Sequence, residues 1–165
     1  MNLCILPKKV VSRLTNPGRI NGFLMLRLPA AYVCGVRVAA VTESSTVVRA
    51  RTQWINRNPF GSMYFAVQAM AAELCTGILV MNAIRQSGGH VSMLITNLSA
   101  EYLKKAVGTI TFTCESDKLD HYLVLVGQGE AVAFILTADG IDESGDLVSV
   151  HHFSWSLKAK RPLNS

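Results

Sequence analysis

Residues 58–73, NPFGSMYFAVQAMAAE, constrain the arrangement of the whole chain, because a turn of Asn, Pro and Gly runs directly into an almost wholly apolar helix. The apolar residues surround this helix on all sides until Ser-Gly-Gly at 87–89, where glycine can end it. Other elements must therefore wrap it. The helix carries one carboxylate, Glu73, and a buried carboxylate must be paired, hydrogen-bonded or neutral.

The flanking segments have the alternating pattern of antiparallel strands. In residues 34–57 the pattern predicts a hairpin around a Thr-Glu-Ser-Ser turn. On its second strand the residues predicted to share one face are Val48, Ala50, Thr52 and Trp54. Further strands are predicted at 91–103, 107–115, 132–138 and 147–158, and helices near 18–31 and at 119–126. The predicted fold class is α+β, a curled antiparallel sheet wrapped around a long apolar central helix.

Length and composition predict a single domain, residues 1–165, with a helical lead-in at 1–33 and a core at 34–160. Half of the residues are hydrophobic and only 16% are charged, which excludes a disordered chain. This apolar content is high for a small monomer. We therefore expect a second subunit to cover part of the surface in a homodimer, which could pair further into a tetramer.

The sequence does not favour a membrane or secreted protein. The apolar stretch from Phe65 to Ile84 nearly reaches spanning length, but Gln68, Glu73 and Asn82 interrupt it, so we expect no membrane span. The N-terminal residues MNLCILPKKVVSRL place their basic residues after the apolar run, the reverse of a secretory signal. We therefore expect a cytoplasmic protein.

No motif for a metal or a cofactor is present in the sequence, and we expect neither. The four cysteines, at 4, 34, 75 and 114, are widely separated and fit reduced thiols rather than a disulfide frame or a zinc site. The four histidines show no H-x-x-x-H spacing. A dinucleotide-like G-Q-G at 127–129 lacks a βαβ unit around it and is interpreted as a helix stop.

The formal net charge of +5 suits an anionic ligand such as a nucleotide, a coenzyme A tail or an acidic carrier protein. The densest basic residues are Lys104 with Lys105, and the group at 158–161. A nucleic-acid-binding protein would be expected to alternate aromatic residues with a long stripe of basic residues. The sequence shows no such stripe, so we expect no nucleic-acid partner.

The loop and helix at 58–73 are similar to a known family. N58-x-x-G61, with Glu73 fifteen residues after Asn58, resembles the motif of phenylacetyl-CoA-type acyl-CoA thioesterases, which have the hotdog fold. More of the chain resembles a related hotdog group known only as a domain of unknown function. The segments that carry this second resemblance are 29–38, 56–65, 102–110 and 153–160.

The resemblance implies a hotdog fold, an acyl-CoA or related acyl thioester as partner, and a thioester hydrolase activity. In such thioesterases a loop asparagine positions the water or the thioester, a helix N-terminal N–H polarises the carbonyl, and a helix carboxylate is the base or nucleophile. By resemblance these catalytic roles belong to Asn58, the backbone N–H of Phe65, and Glu73. The corresponding substrate-binding residues are Gly61, Met63 and Tyr64.

The chain departs from the thioesterase motif at Tyr64, Phe65 and Ala66, where these enzymes usually carry His-Gly-Gly. A phenylalanine ring could fill the slot that glycine leaves for the acyl group, and tyrosine does not replace a histidine that titrates near neutrality. Three hypotheses stay open: a thioesterase, a non-catalytic acyl or lipid binder, and an interaction module without a small ligand. Glu73 and Asn58 also have purely structural interpretations, as a satisfied helix carboxylate and a turn residue.

One helix cannot bring the two halves of the implied site together. Phe65 and Glu73 are eight residues apart, which is about 12 Å along a helix axis. A base, a water and an oxyanion donor must meet within about 3 Å of one carbonyl. Two antiparallel helices of an isologous dimer can meet this requirement, so we expect Asn58 and Phe65 of one subunit to face Glu73 of the other.

Overall fold

The structure is a computed structural model that describes residues 16–160. Two helices precede the sheet, α1 (Pro17–Arg27) and α2 (Pro29–Val33). The single helix expected near 18–31 is divided at Leu28, whose φ of −131° and ψ of 58° are not helical. A residue before proline is displaced from the α region, which explains the break. Residues 1–15, which include Cys4 and the N-terminal segment discussed above, lie outside the described part of the chain.

Six antiparallel strands form one sheet in the order β1-β2-β4-β5-β6-β3. Their bounds are β1 Val36–Val41, β2 Ser45–Arg51, β3 Val91–Tyr102, β4 Thr109–Glu115, β5 Val132–Ile141 and β6 Leu147–Ala159. The pairs β1–β2 and β5–β6 are hairpins. The long strand β3 lies at one edge and pairs only with β6 among the described strands.

The long helix α3 (Phe65–Gln86) lies against the inner face of the sheet, and a short helix α4 (Leu119–Gly127) connects β4 to β5. By length and composition α3 could cross a membrane, but most of its residues are buried inside this protein, so it is the core helix. The predicted α+β class and the curled sheet around a central helix are confirmed.

Two sets of contacts fix the middle of α3 to opposite halves of the sheet. The Cys75 thiol donates to the carbonyl oxygens of Thr46 and Phe112 at 3.0 and 3.4 Å. On the other side, the indole N–H of Trp155 donates to the Thr76 hydroxyl at 3.2 Å. Both contacts involve buried residues, so the helix cannot rotate without breaking hydrogen bonds that water does not replace.

The second strand of the first hairpin is shorter than the alternation predicts. Strand β2 ends at Arg51, and a 3₁₀ helix, Trp54–Asn56, follows it. The Asn56 carboxamide causes this turn, because it donates to the carbonyl oxygens of Cys34 and Arg51 and accepts from the Gln53 N–H. The Trp54 ring is consequently 82% exposed rather than on the buried face.

The described cysteines, Cys34, Cys75 and Cys114, are free thiols, as the spacing predicts. Burial raises the pKa of Cys75, and burial together with nearby carboxylates raises the pKa of Cys114 to about 12. A thiol that stays protonated is a poor nucleophile and a poor metal ligand. These two thiols therefore serve the core.

Gly77 gives a test of how closely α3 approaches the sheet. A β-carbon at Gly77 would lie 3.5 Å from the Trp155 ring, an ordinary contact distance. We predict that Gly77→Ala is neutral or stabilising by about 0.5–1 kcal/mol, since alanine favours helix over glycine. Gly77→Leu should destabilise the fold by roughly 1–3 kcal/mol through overpacking. Urea unfolding of both variants measures the difference, and equal stability of the two would contradict this account.

Candidate functional site

The loop before α3 is organised by the side chain of Asn58. Its carboxamide oxygen accepts from the backbone N–H groups of Phe60 and Ser62 at 3.0 and 3.2 Å, and its nitrogen donates to the Ser62 hydroxyl at 3.0 Å. Gly61 has a φ of +82°, a conformation that favours glycine, although a β-carbon added there would have no neighbouring atom within 4 Å. Asn58 and Gly61 thus have the structural roles of turn residues, and these roles are compatible with a place in a ligand site.

Backbone hydrogen bonds fix where the helix begins. The N–H of Met63 donates to the Ala106 carbonyl at 2.7 Å, and the N–H of Tyr64 donates to the Asn56 carbonyl at 2.8 Å. Phe65 is then the first helical residue. Within the described residues its own N–H has no hydrogen-bond acceptor, and the first turn has neither an acidic residue nor a side-chain cap. The positive end of the α3 dipole is therefore available to a ligand.

An open cavity of about 370 Å³ lies beside this helix start. One wall comes from the loop and the first turn of α3, and the other from residues 102–106, which include the last residue of β3 and the segment after it. The first wall consists of Asn58, Ser62, Met63, Phe65 and Gln68. This volume falls in the range of small-molecule sites.

The structure brings three of the predicted site residues to the cavity, Asn58, Met63 and Phe65. Gly61 and Tyr64 belong to the same loop and helix start but do not line it. Glu73 lies about two turns further along α3 and is likewise not part of the lining. The sequence prediction did not assign site roles to the other seven lining residues, which are Ser62, Gln68, Tyr102, Leu103, Lys104, Lys105 and Ala106. In the sequence, Gln68 was visible as a polar residue within an apolar helix, and Lys104 and Lys105 as a pair of adjacent basic residues.

The Glu73 carboxylate has no partner in the described part of the chain. No hydrogen bond or ion pair to it is present in residues 16–160, and its side chain is exposed on a helix face that also carries the partly exposed Met70 and Leu74. Partial burial nevertheless raises its pKa above the ordinary value. An unpaired carboxylate of this kind can accept a proton closer to neutrality than a free one.

A row of aromatic rings runs from the helix start into the core. The Phe65 ring contacts those of Tyr64 and Tyr102, with centroids 4.7 and 6.0 Å apart. The Tyr102 ring also meets the fully buried His151 at 5.5 Å. Phe65 is 54% exposed, so its ring forms part of the cavity wall rather than part of the core.

His151 is buried with incomplete hydrogen bonding. Its Nε2 lies 3.2 Å from the Ser149 hydroxyl, while its Nδ1 has no partner among the described residues. Burial, with a smaller contribution from His152, lowers the pKa of His151 to about 4. His151 is therefore neutral near pH 7. The two histidines point to opposite faces of β6, as expected for neighbours on a strand, and His152 pairs with Thr137 at 2.9 Å.

A lysine on the cavity rim is held by two carboxylates. The Lys104 ammonium lies 2.6 Å from a carboxylate oxygen of Asp142 and of Asp146, which raises the pKa of Lys104 and lowers that of Asp142. This pairing attaches the turn between β5 and β6 to the cavity rim. Among residues 16–160 no cluster of His, Cys, Asp or Glu that could hold a metal ion is present.

The sequence comparison identifies a family. A family model described as Domain of unknown function (DUF4442) matches residues 19–157. The chain belongs to this family. The match includes the loop, α3 and every strand of the sheet up to Leu157, so the cavity and Glu73 lie within the family domain. No curated protein matches the sequence.

Solved structures with the same fold include proteins described as thioesterases or probable thioesterases. A protein from Pseudomonas aeruginosa, described as of unknown function and a probable thioesterase, is 19% identical, with a TM-score of 0.77 over 87% of this chain and 97% of that one. A thioesterase from Haemophilus influenzae is 13% identical, with a TM-score of 0.71 over 91% and 95% of the two chains. At these identities the similarity shows the fold alone: the thioesterase-like hotdog fold.

The buried His151 predicts acid sensitivity. Because its pKa is lower in the folded than in the unfolded chain, its contribution to stability is complete above about pH 6.5 and decreases as the pH falls from 6.5 to 4. We expect a loss on the order of 2–3 kcal/mol across this interval. Urea unfolding of His151→Gln should show a flatter pH dependence. His90→Gln, at an exposed histidine that does not contribute to the shift of His151, is the control and should keep the wild-type slope. Equal slopes in all three proteins would contradict the assignment.

Proposed function

We propose that this protein binds an acyl thioester and hydrolyses it at the start of α3. The observation that supports this most directly is the free N–H of Phe65 at the positive end of a 22-residue helix, beside a cavity of about 370 Å³. A developing oxyanion is stabilised by such a donor because the backbone dipole is already oriented before the reaction.

In the proposed reaction the thioester carbonyl oxygen accepts a hydrogen bond from the Phe65 N–H. A water oxygen attacks the carbonyl carbon while Glu73 takes a proton from that water. The C–S bond then breaks, the thiolate leaves and receives the proton, and the carboxylic acid is the second product. The raised pKa of Glu73 suits a base that accepts and returns a proton near neutrality. Asn58, held by its loop, borders the cavity and orients the ligand.

The proposed site needs two subunits, because Glu73 does not reach the cavity of its own chain. Strand β3 supports such a dimer. It is a 12-residue edge strand in which Leu94, Leu98 and Tyr102 are 60%, 44% and 44% exposed. A long, apolar, uncovered edge is a template for pairing with another strand.

The geometry of β3 also favours the arrangement of helices that the site requires. Leu98 is paired with the buried Phe153, so both lie on the face of the sheet that carries α3. The same side presents the partly exposed face of α3 that bears Glu73. Antiparallel β3–β3 pairing about a two-fold axis would cover both surfaces and bring the start of each helix toward the middle of the other.

A second candidate function is acyl or lipid binding without hydrolysis. Phe65 supports it, because its ring lines the cavity where the thioesterases that the loop resembles usually have glycine. The ring could hold an acyl group away from the N–H donor and from Glu73. The positive net charge suits the phosphates of coenzyme A for either function, and a cytoplasmic location remains a prediction.

The decisive test is release of free thiol from short, long and aromatic acyl-CoAs. We expect the wild-type protein to hydrolyse part of this panel, and Glu73→Gln to lose roughly 10²- to 10⁴-fold in kcat because it cannot accept the proton. Glu130→Gln, an exposed carboxylate outside the cavity, is the matched control and should retain full activity. If wild type binds these thioesters in calorimetry without releasing thiol, the binding function replaces the hydrolytic one.

The shared site is tested by mixing two inactive variants. Proline is well tolerated at the first position of a helix, and Tyr64 already has the extended conformation that proline requires before it. Phe65→Pro therefore removes the donor N–H and keeps the helix, while Phe65→Ala keeps the N–H as its control. Heterodimers of Phe65→Pro and Glu73→Gln chains should regain one of two centres, about half of wild-type activity. Heterodimers that form but remain inactive would reject the shared site.

A further inference from the structure

Gln68 is a buried polar residue without a protein partner. It lies on the first turn of α3, 4% exposed, and its carboxamide oxygen is buried with no hydrogen-bond donor in the described residues. Leaving a buried amide oxygen unpaired costs about 1–3 kcal/mol. Native proteins rarely retain such a group without a reason.

The environment of Gln68 points to a ligand rather than to the core. Among residues 16–160, three other buried side chains have an atom without a hydrogen-bond partner: Thr46, Asn82 and His151. None of these three lines the cavity, whereas Gln68 does. Gln68 is therefore the one of these four residues that borders a space large enough for a ligand.

The cavity is also more polar than a slot for a plain alkyl chain. Besides Gln68 its wall carries the carboxamide of Asn58, the Ser62 hydroxyl, the Tyr102 phenol and two lysines. Hydrogen bonding already occupies the Asn58 oxygen and the Ser62 hydroxyl within the loop. Among these described lining residues, the Gln68 oxygen is the buried acceptor without a hydrogen-bond donor.

We propose that Gln68 is a specificity-determining residue whose carboxamide oxygen accepts a hydrogen bond from an O–H or N–H group of the thioester ligand. The donor is either a hydroxyl on a short acyl group or an amide N–H of the pantetheine arm. Recognition of this kind discriminates strongly, because a ligand without the donor leaves the buried oxygen unpaired. The identity of the ligand rests on the proposed function. The presence of the unpartnered buried acceptor does not depend on it.

Gln68→Met tests the assignment, since methionine has a similar length and shape but accepts hydrogen bonds only weakly. The Gln68 side chain makes no hydrogen bond to the described residues, so Gln68→Met loses none. Its melting temperature should therefore stay the same or rise. Asn82→Leu is the matched control on the same helix. It removes a buried amide whose nitrogen donates to the Thr42 carbonyl at 3.2 Å, and it should lower stability without changing ligand preference. Gln68→Ala provides a second variant if Gln68→Met does not fold.

The probes are butyryl-CoA and its 2- and 3-hydroxy derivatives, as thioesters for kcat/KM and as non-hydrolysable thioethers for Kd by calorimetry. If the donor is an acyl hydroxyl, wild type should prefer a hydroxylated probe by about five- to ten-fold, and Gln68→Met should abolish this preference. If the donor is the pantetheine amide, wild type should bind all probes equally, and Gln68→Met should weaken all of them by that factor. Unchanged affinities in Gln68→Met would overturn the assignment.

The two readouts separate this inference from the proposed hydrolysis. Thioether binding that depends on Gln68, with no thiol release from the thioesters, supports the specificity role and rejects hydrolysis. Thiol release with a substrate profile that Gln68→Met does not change rejects the specificity role and supports hydrolysis. If wild-type protein binds none of the thioethers, both proposals fail.

Discussion

Burial of α3 against the inner face of the sheet is the constraint on which the other features of this protein depend. Because the helix is apolar on nearly every side, the sheet must curl to cover it, and small residues such as Ala71, Ala72 and Gly77 allow the close approach. Cys75 and Trp155 then fix its rotation by hydrogen bonds from opposite halves of the sheet. The same rotation determines which residues turn inward and leaves Glu73 on the exposed side.

The start of the helix is fixed by two asparagines with different tasks. Asn56 ends the first hairpin and accepts the Tyr64 N–H on its backbone carbonyl, whereas Asn58 shapes the following turn through its side chain. Together they leave the Phe65 N–H without an acceptor among residues 16–160 and place it beside the cavity. The hydrogen bonds within the protein thus order the candidate site, and an ordered site would limit the entropy lost on binding a ligand.

The two edges of the sheet differ in a way that bears on assembly. At the β1 edge, the Asn21 side chain of α1 both accepts from the N–H and donates to the carbonyl of Val38, so this position cannot pair with another strand. At the β3 edge, no described element covers the strand beyond its pairing with β6. One edge is thus protected and the other is open.

The sequence by itself determined the order of the elements, the α+β class and the central helix, because these follow from hydrophobic periodicity and from glycine and proline positions that act locally. It also located the loop and the helix start, since Asn58 and Gly61 form a turn through contacts within five residues. Only the tertiary structure decided that Trp54 leaves the strand, because the hydrogen bond from Asn56 to the Cys34 carbonyl joins residues 22 apart in the chain. It also decided that Gln68 faces the cavity and Glu73 does not, because the rotation of α3 depends on the packing of the sheet around it.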